Sequence, residues 1–151
     1  MEVFRISEAS FASNLNSSGT ANRWNNKGQF VIYTGSSRSL STLELIVHKN
    51  SIKPHVNYKV IVISIADLDR LIKQVYISKL PNNWRSLSAY PVLQQIGCDW
   101  YSNQESLVLK VPSAVIPNEF NYIINTEHSD FKTNVRLVRK ENYYWDNRLF
   151  K

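Results

Sequence analysis

Four side chains in this sequence are of types that carry chemistry and stand where local structure could aim them. Glu44 lies in Ser39-Leu-Ser-Thr-Leu-Glu-Leu-Ile-Val-His48, which the spacing of Leu40, Leu43 and Val47 predicts as an amphipathic helix. At that spacing Glu44 falls inside the apolar stripe and is expected to face inward. An ionised carboxylate in a dry interior is unfavourable, so two readings stand: a structural ion pair, or an acid that lines a cleft. Arg23 lies in a loop rich in Ser, Asn, Gly and Thr and precedes Trp24. A solvated loop cation is one reading. A tryptophan that packs the loop onto the body makes an anion site the other. Tyr33 ends a strand, either as core with its hydroxyl at the rim or as a ligand contact. Ser113 sits between Pro112 and Pro117, either on a surface turn or as a rigidly placed hydroxyl facing a cleft.

Other chemistries are excluded by residue type and spacing. The histidines are His48, His55 and His128, none in a His-x-x-x-His pair, and Cys98 is the single cysteine. A spaced Cys/His zinc site is not expected, and no metal is called for. No Walker loop, dinucleotide fingerprint or nucleophile elbow occurs. With 4 glycines in 151 residues, a glycine-rich phosphate cradle cannot be built, so phosphate would be held by side chains, above all arginine. His48 stands one turn after Glu44 at i+4, where it can steady the carboxylate.

The elements that must position these groups are legible as an α+β pattern. Val3–Ile6 reads as a short strand and residues 13–28 as a loop. Gln29–Thr34 reads as a strong strand, and Gly35-Ser-Ser37 as a turn whose serine caps the Glu44 helix. Tyr58–Ile65 is a buried strand. Leu68, Leu71, Ile72 and Val75 predict a helix over Ala66–Val75, and Pro91–Tyr101 a further helix with proline in its first turn. Leu107–Val111, Asn121–Asn125 and Asn134–Val138 read as strands. The aromatic tail Tyr143–Phe150 is expected to dock on the body. The sum is about six strands and about three helices in one domain.

Composition agrees with a single folded unit: the hydrophobic fraction is 43% and the charged fraction 20%. The 18 basic against 12 acidic residues give a net charge of +6, which favours an anionic ligand or partner. The cations are scattered, with a modest cluster at Arg136, Arg139 and Lys140. One cysteine, no signal-like N-terminus and no long apolar run point to a soluble, cytoplasmic protein without membrane contact.

Taken in order, several stretches resemble a known family. Phe4-Arg-Ile6, Asn22-Arg-Trp-Asn-Asn-Lys-Gly28, Val31-Ile-Tyr-Thr34 and Leu43-Glu-Leu-Ile-Val-His48 resemble the first half of a RES domain. Leu80-Pro-Asn-Asn-Trp84, Val111-Pro-Ser-Ala-Val-Ile-Pro117, Asn121-Tyr-Ile-Ile-Asn125 and Asp146-Asn-Arg-Leu149 resemble the second half. The resemblance spans 1–151 and places the family's arginine, glutamate and serine on Arg23, Glu44 and Ser113. Where the family pattern has two glycines before the arginine, this chain has Ala21-Asn22.

The resemblance implies a fold similar to ADP-ribosyltransferases. It implies the toxin of a bacterial type II toxin–antitoxin pair that consumes NAD+ by hydrolysis or phosphorolysis, with an Xre-like helix-turn-helix antitoxin as partner. A homodimer stays open, and nucleic acid is expected only indirectly, through the antitoxin. Under this reading Glu44 stabilises the ribose cation that forms as nicotinamide leaves. Arg23 holds the pyrophosphate, Tyr33 walls in the nicotinamide, and Ser113 hydrogen-bonds ribose or carboxamide. The alternatives are an ADP-ribosyltransferase that modifies a protein, a family relative that has lost turnover, and a non-enzymatic basic nucleic-acid-binding module.

Overall fold

Apolar strands set the frame, and the amphipathic helices cover it. The computed structural model describes residues 1–48 and 52–150. The strands are β1 (Glu2–Glu8), β2 (Val31–Gly35), β3 (Tyr58–Ile65), β4 (Ile72–Gln74), β5 (Val108–Pro112), β6 (Phe120–Asn125) and β7 (Val135–Tyr143). The helices are α1 (Arg38–His48), α2 (Tyr90–Ser102) and the single turn α3 (Phe131–Asn134). All seven strands join one sheet in the order β4-β5-β6-β2-β1-β3-β7. Only β4 and β5 run parallel. This is an α+β domain, as the residue pattern predicts. Among the described residues no helix is long and apolar enough to cross a membrane.

β3 is buried on both faces, which its near-continuous Val/Ile run requires. Ile61, Ile63 and Ile65 join Val3, Ile32 and Val108 on one side. Tyr58, Val60 and Val62 join Phe4 and Ile6 on the other, with Leu45 of α1 packed against them. A third cluster packs α2, through Leu93 and Trp100, against Leu109, Val111 and Ile123. The tail docks as expected: the Trp145 ring lies edge-on to Tyr58, Tyr143 and Phe150 at 5.4, 4.8 and 5.8 Å.

Two expectations are corrected. The predicted helix over Ala66–Val75 is instead a 3-10 turn, Asp69–Leu71, followed by β4. Leu71 and Val75 are buried, but they reach the core from an extended chain that pairs Ile72 with Val108. Tertiary pairing overrides the helical spacing here. The strand expected at Asn134–Val138 runs on to Tyr143: Arg139 and Lys140 are exposed on an edge strand that polar side chains protect, and Glu141 pairs with Arg38 of α1.

The feature that matters for function is a split in the sheet. β1 keeps seven register pairs with β3 but pairs with β2 only at Phe4 and Gly35. The two strands diverge from that point, and a cleft opens between them.

Candidate active site

The cleft has a volume of about 430 Å³, inside the roughly 300–1,000 Å³ typical of small-molecule sites. Its walls are Phe4–Ser7 of β1, Val31 and Tyr33–Gly35 of β2, the loop 18–24, and Ser41, Glu44, Leu45 and His48 of α1. Pro112, Ala114 and Asn121 close the end.

α1 brings Glu44 to the cleft. The Ser37 hydroxyl accepts the Leu40 N–H at 3.0 Å and starts the helix. The Ser41 hydroxyl donates to the Phe4 carbonyl at 2.8 Å and ties α1 to β1. Gly35 permits this approach, since a Cβ there would stand 2.6 Å from Ser41 Oγ. The packed face is turned from the predicted stripe. Leu40 is buried, but Leu43 and Val47 are 39% and 57% exposed, and Ser41, Glu44 and Leu45 face the sheet instead. Glu44 does point inward, for a different reason than the apolar stripe suggested.

The Glu44 side chain is 16% exposed and its carboxylate is held by three donors. Oε1 accepts from Ser113 Oγ at 2.7 Å and from Asn121 Nδ2 at 2.6 Å. Oε2 lies 3.1 Å from His48 Nε2. Burial pushes the carboxyl up, but hydrogen bonds from His48, Ser113 and Asn121 outweigh it and hold it below the usual glutamate value. Glu44 is therefore ionised at neutral pH, and it has no Lys or Arg partner among the described residues.

Ser113 does not face the cleft. It is 0% exposed, donates to Glu44, and accepts the N–H groups of Val115 and Ile116 at 3.1 and 3.0 Å. The turn between the two prolines does fix the hydroxyl rigidly, but it aims it at the back of Glu44.

Arg23 is 9% exposed, which rules out the solvated loop cation. Its Nη1 donates to the Trp84 and Arg85 carbonyls at 3.1 and 3.2 Å, and its guanidinium lies 4.7 Å from the Tyr90 ring centroid. Its Nε is buried without a partner. The loop is tethered as Trp24 suggested: Trp24 is buried, and the Asn22 and Asn25 backbones pair at 3.0 and 3.3 Å. Gly97 of α2 allows the contact, because a Cβ there would meet the Trp24 carbonyl oxygen at 1.7 Å. Ala21 and Asn22 in place of two glycines do not strain the turn, since neither has a positive φ.

The Tyr33 ring lines the cleft, but its hydroxyl is not at the rim. It donates to Asn25 Oδ1 at 2.7 Å and accepts the Trp24 N–H at 3.0 Å. Burial pushes the phenol up from its ordinary value, so it stays neutral.

Three contributors escaped the residue-by-residue reading. Arg5 of β1 lines the cleft, donates Nη1 to the Asn16 carbonyl at 3.2 Å, and has no ion-pair partner among the described residues. Burial lowers its pKa. Asn121 and Asn25 hold Glu44 and Tyr33. An arginine amid the apolar alternation of Val3–Ile6 was the available signal for Arg5. Two polar residues at the ends of an otherwise apolar strand were the signal for Asn121.

A family model described as the RES domain matches residues 2–146. A protein named Toxin Res from Yersinia enterocolitica is 35% identical over 127 residues, 84% of this chain and 82% of its own. A protein named Prs ADP-ribosylating toxin, from Sphingobium sp., is 34% identical over 149 residues, 97% of this chain and 91% of its own. Among solved structures, the M. tuberculosis MbcT–MbcA toxin–antitoxin complex contains a chain that matches with a TM-score of 0.75 at 16% identity, covering 95% of this chain and 84% of that one. At that identity the last likeness concerns the fold alone. The chain belongs to the RES domain family.

Proposed function

We propose that this chain is the toxin of a toxin–antitoxin pair and that it breaks the nicotinamide–ribose bond of NAD+ in the cleft between β1 and β2. The observation that carries this is an ionised, triply held Glu44 in the same cleft as Arg5 and Arg23, two cations with no carboxylate partner among the described residues. An acid with no Lys or Arg partner among the described residues can stabilise a developing cation, and arginines with no acid partner there can bind phosphates. The relatives' names support a toxin, and the MbcT–MbcA complex supports an antitoxin as partner.

In the reaction the bond between ribose C1′ and the pyridinium nitrogen breaks, and its electron pair stays on nitrogen. Nicotinamide therefore leaves neutral and needs no general acid. Positive charge moves to the ribose, where Glu44 Oε2 opposes it, as the second carboxylate does in glycoside cleavage. Tyr33 presents its ring to the leaving group, and Arg5 and Arg23 hold the pyrophosphate. Ser113 acts behind Glu44 and does not touch the sugar. An acceptor oxygen then attacks C1′ and gives up its proton to solvent.

A second reading changes only the acceptor, from water or phosphate to a protein side chain. The name of the Sphingobium relative favours it. Purified protein is incubated with labelled NAD+, with and without phosphate and cell extract, and nicotinamide is followed by chromatography. Release is expected in the arms that contain the acceptor, with label on ADP-ribose, on its phosphate ester or on a protein accordingly. No release in any arm overturns the proposal.

A further inference from the structure

The Glu44 carboxylate has two oxygens in unequal surroundings, and the inequality comes from β5 and β6. Oε1 takes two donors, Ser113 Oγ at 2.7 Å and Asn121 Nδ2 at 2.6 Å. Among the described residues Oε2 meets only His48 Nε2, at 3.1 Å. Ser113 and His48 hold one oxygen each. Asn121 adds a second donor to Oε1 from a different strand, since it sits on β6 in register with Gly35 of β2 and Val111 of β5. The two donors thus reach Oε1 from both arms of the β5–β6 hairpin, which the Ser113 N–H closes on the Glu119 carbonyl at 2.9 Å. The Asn121 amide is itself oriented by the acid: reversing it would place Oδ1 against an anion. As it stands, Oδ1 is buried without a partner, an arrangement that stabilises Glu44 rather than Asn121.

We propose that Asn121 is a positioning residue for Glu44: together with Ser113 it saturates Oε1, so that Oε2 is the oxygen presented to the reacting sugar. This rests on the NAD+ reading for its catalytic consequence, but not for the geometry. The same contacts favour the ionised acid. The charged and titratable groups that share the cleft with Glu44 are His48 on α1, Arg5 on β1, Arg23 on the loop and Tyr33 on β2. Asn121 of β6 and Ser113, just past the end of β5, are the uncharged donors.

The test reads Glu44 directly. The protein is labelled with 13C at glutamate carboxyls, and the Glu44 resonance is assigned by its loss in Glu44→Gln. Its titration midpoint is then compared among wild type, Asn121→Ala and Asn121→Asp. Removing one donor is expected to raise the midpoint by about 0.5–1 unit, and the nearly isosteric Asp, a second acid beside the first, by more. For nicotinamide release, Asn121→Ala should lower kcat about 10-fold or more with KM little changed, and shift the acid limb of the profile upward. A midpoint in both variants within about 0.2 unit of wild type, with the fold retained by circular dichroism, overturns the proposal. Should wild type release no nicotinamide, the functional reading fails while the titration still decides the role of Asn121.

Discussion

Ser113 Oγ donates to Glu44 Oε1 at 2.7 Å across a sequence separation of 69 residues. That hydroxyl has one proton to give, and it gives it to the acid. Its lone pairs take the N–H groups of Val115 and Ile116. Ser113→Ala removes all three bonds at a fully buried site. It should lower stability by about 1–3 kcal/mol, since two N–H groups lose their acceptor, and lower kcat about 10-fold or more through the looser acid. Thermal denaturation and nicotinamide release check the two effects separately. Wild-type values for both would show that the hydroxyl supports nothing.

The pH dependence of stability follows from Glu44. Its folded pKa lies below the ordinary value, so the unfolded chain binds the proton first as pH falls. The stabilisation is fully present above the unfolded glutamate pKa of about 4.3 and is lost as pH falls through the folded value. Glu44→Gln should flatten the acid side of a stability–pH curve and leave the region between pH 6 and 8 with little slope change. An unchanged acid limb in the variant contradicts the hydrogen-bonded, ionised acid.

Arg23 and Arg5 should differ in how they fail. Arg23 forks onto two carbonyls and lies against Tyr90, so Arg23→Lys cannot replace it. The variant should lose both substrate affinity and thermal stability. Arg5 makes one hydrogen bond, to Asn16. Arg5→Ala should raise KM about 10-fold or more, with kcat less affected, if it serves bound phosphate. Steady-state kinetics on both variants, with melting curves, distinguish an anion grip from a structural cation.

Gly97→Ala sets helix propensity against packing. Alanine is favoured over glycine by about 1 kcal/mol in a helix, yet the added Cβ would stand 1.7 Å from the Trp24 carbonyl oxygen. The clash should win, with a net loss of about 1–3 kcal/mol and reduced activity as the loop carrying Arg23 moves off α2. A stabilised variant with full activity would mean that the loop yields freely.

How much of this was legible in the residues depends on what each residue reports. The strand Tyr58–Ile65 was visible because burial on both faces imposes a near-continuous apolar run, and the helix of Pro91–Tyr101 because a proline marks its first turn. Glu44 was visible because a carboxylate in an apolar stripe demands an explanation, Arg23 because the neighbouring Trp24 ties its loop to the body, and Tyr33 because it ends a strand. The Ala66–Val75 segment misled because helical spacing and a turn followed by a short strand bury the same residues, Leu71 and Val75. Ser113 was found as a special hydroxyl but aimed wrongly: flanking prolines report rigidity, not direction. Asn121 and Arg5 left a local trace as polar residues in apolar strands, but their place at the cleft follows from the split between β1 and β2, a property of long-range pairing that no local window contains.

In the proposed reaction Glu44 is the group that opposes charge on the ribose. Glu44→Gln keeps the size and the shape and removes the negative charge. Binding of NAD+ should persist within a few-fold by calorimetry, while single-turnover nicotinamide release should fall by about 10²-fold or more. Release at the wild-type rate from a folded, NAD+-bound Glu44→Gln protein would contradict it.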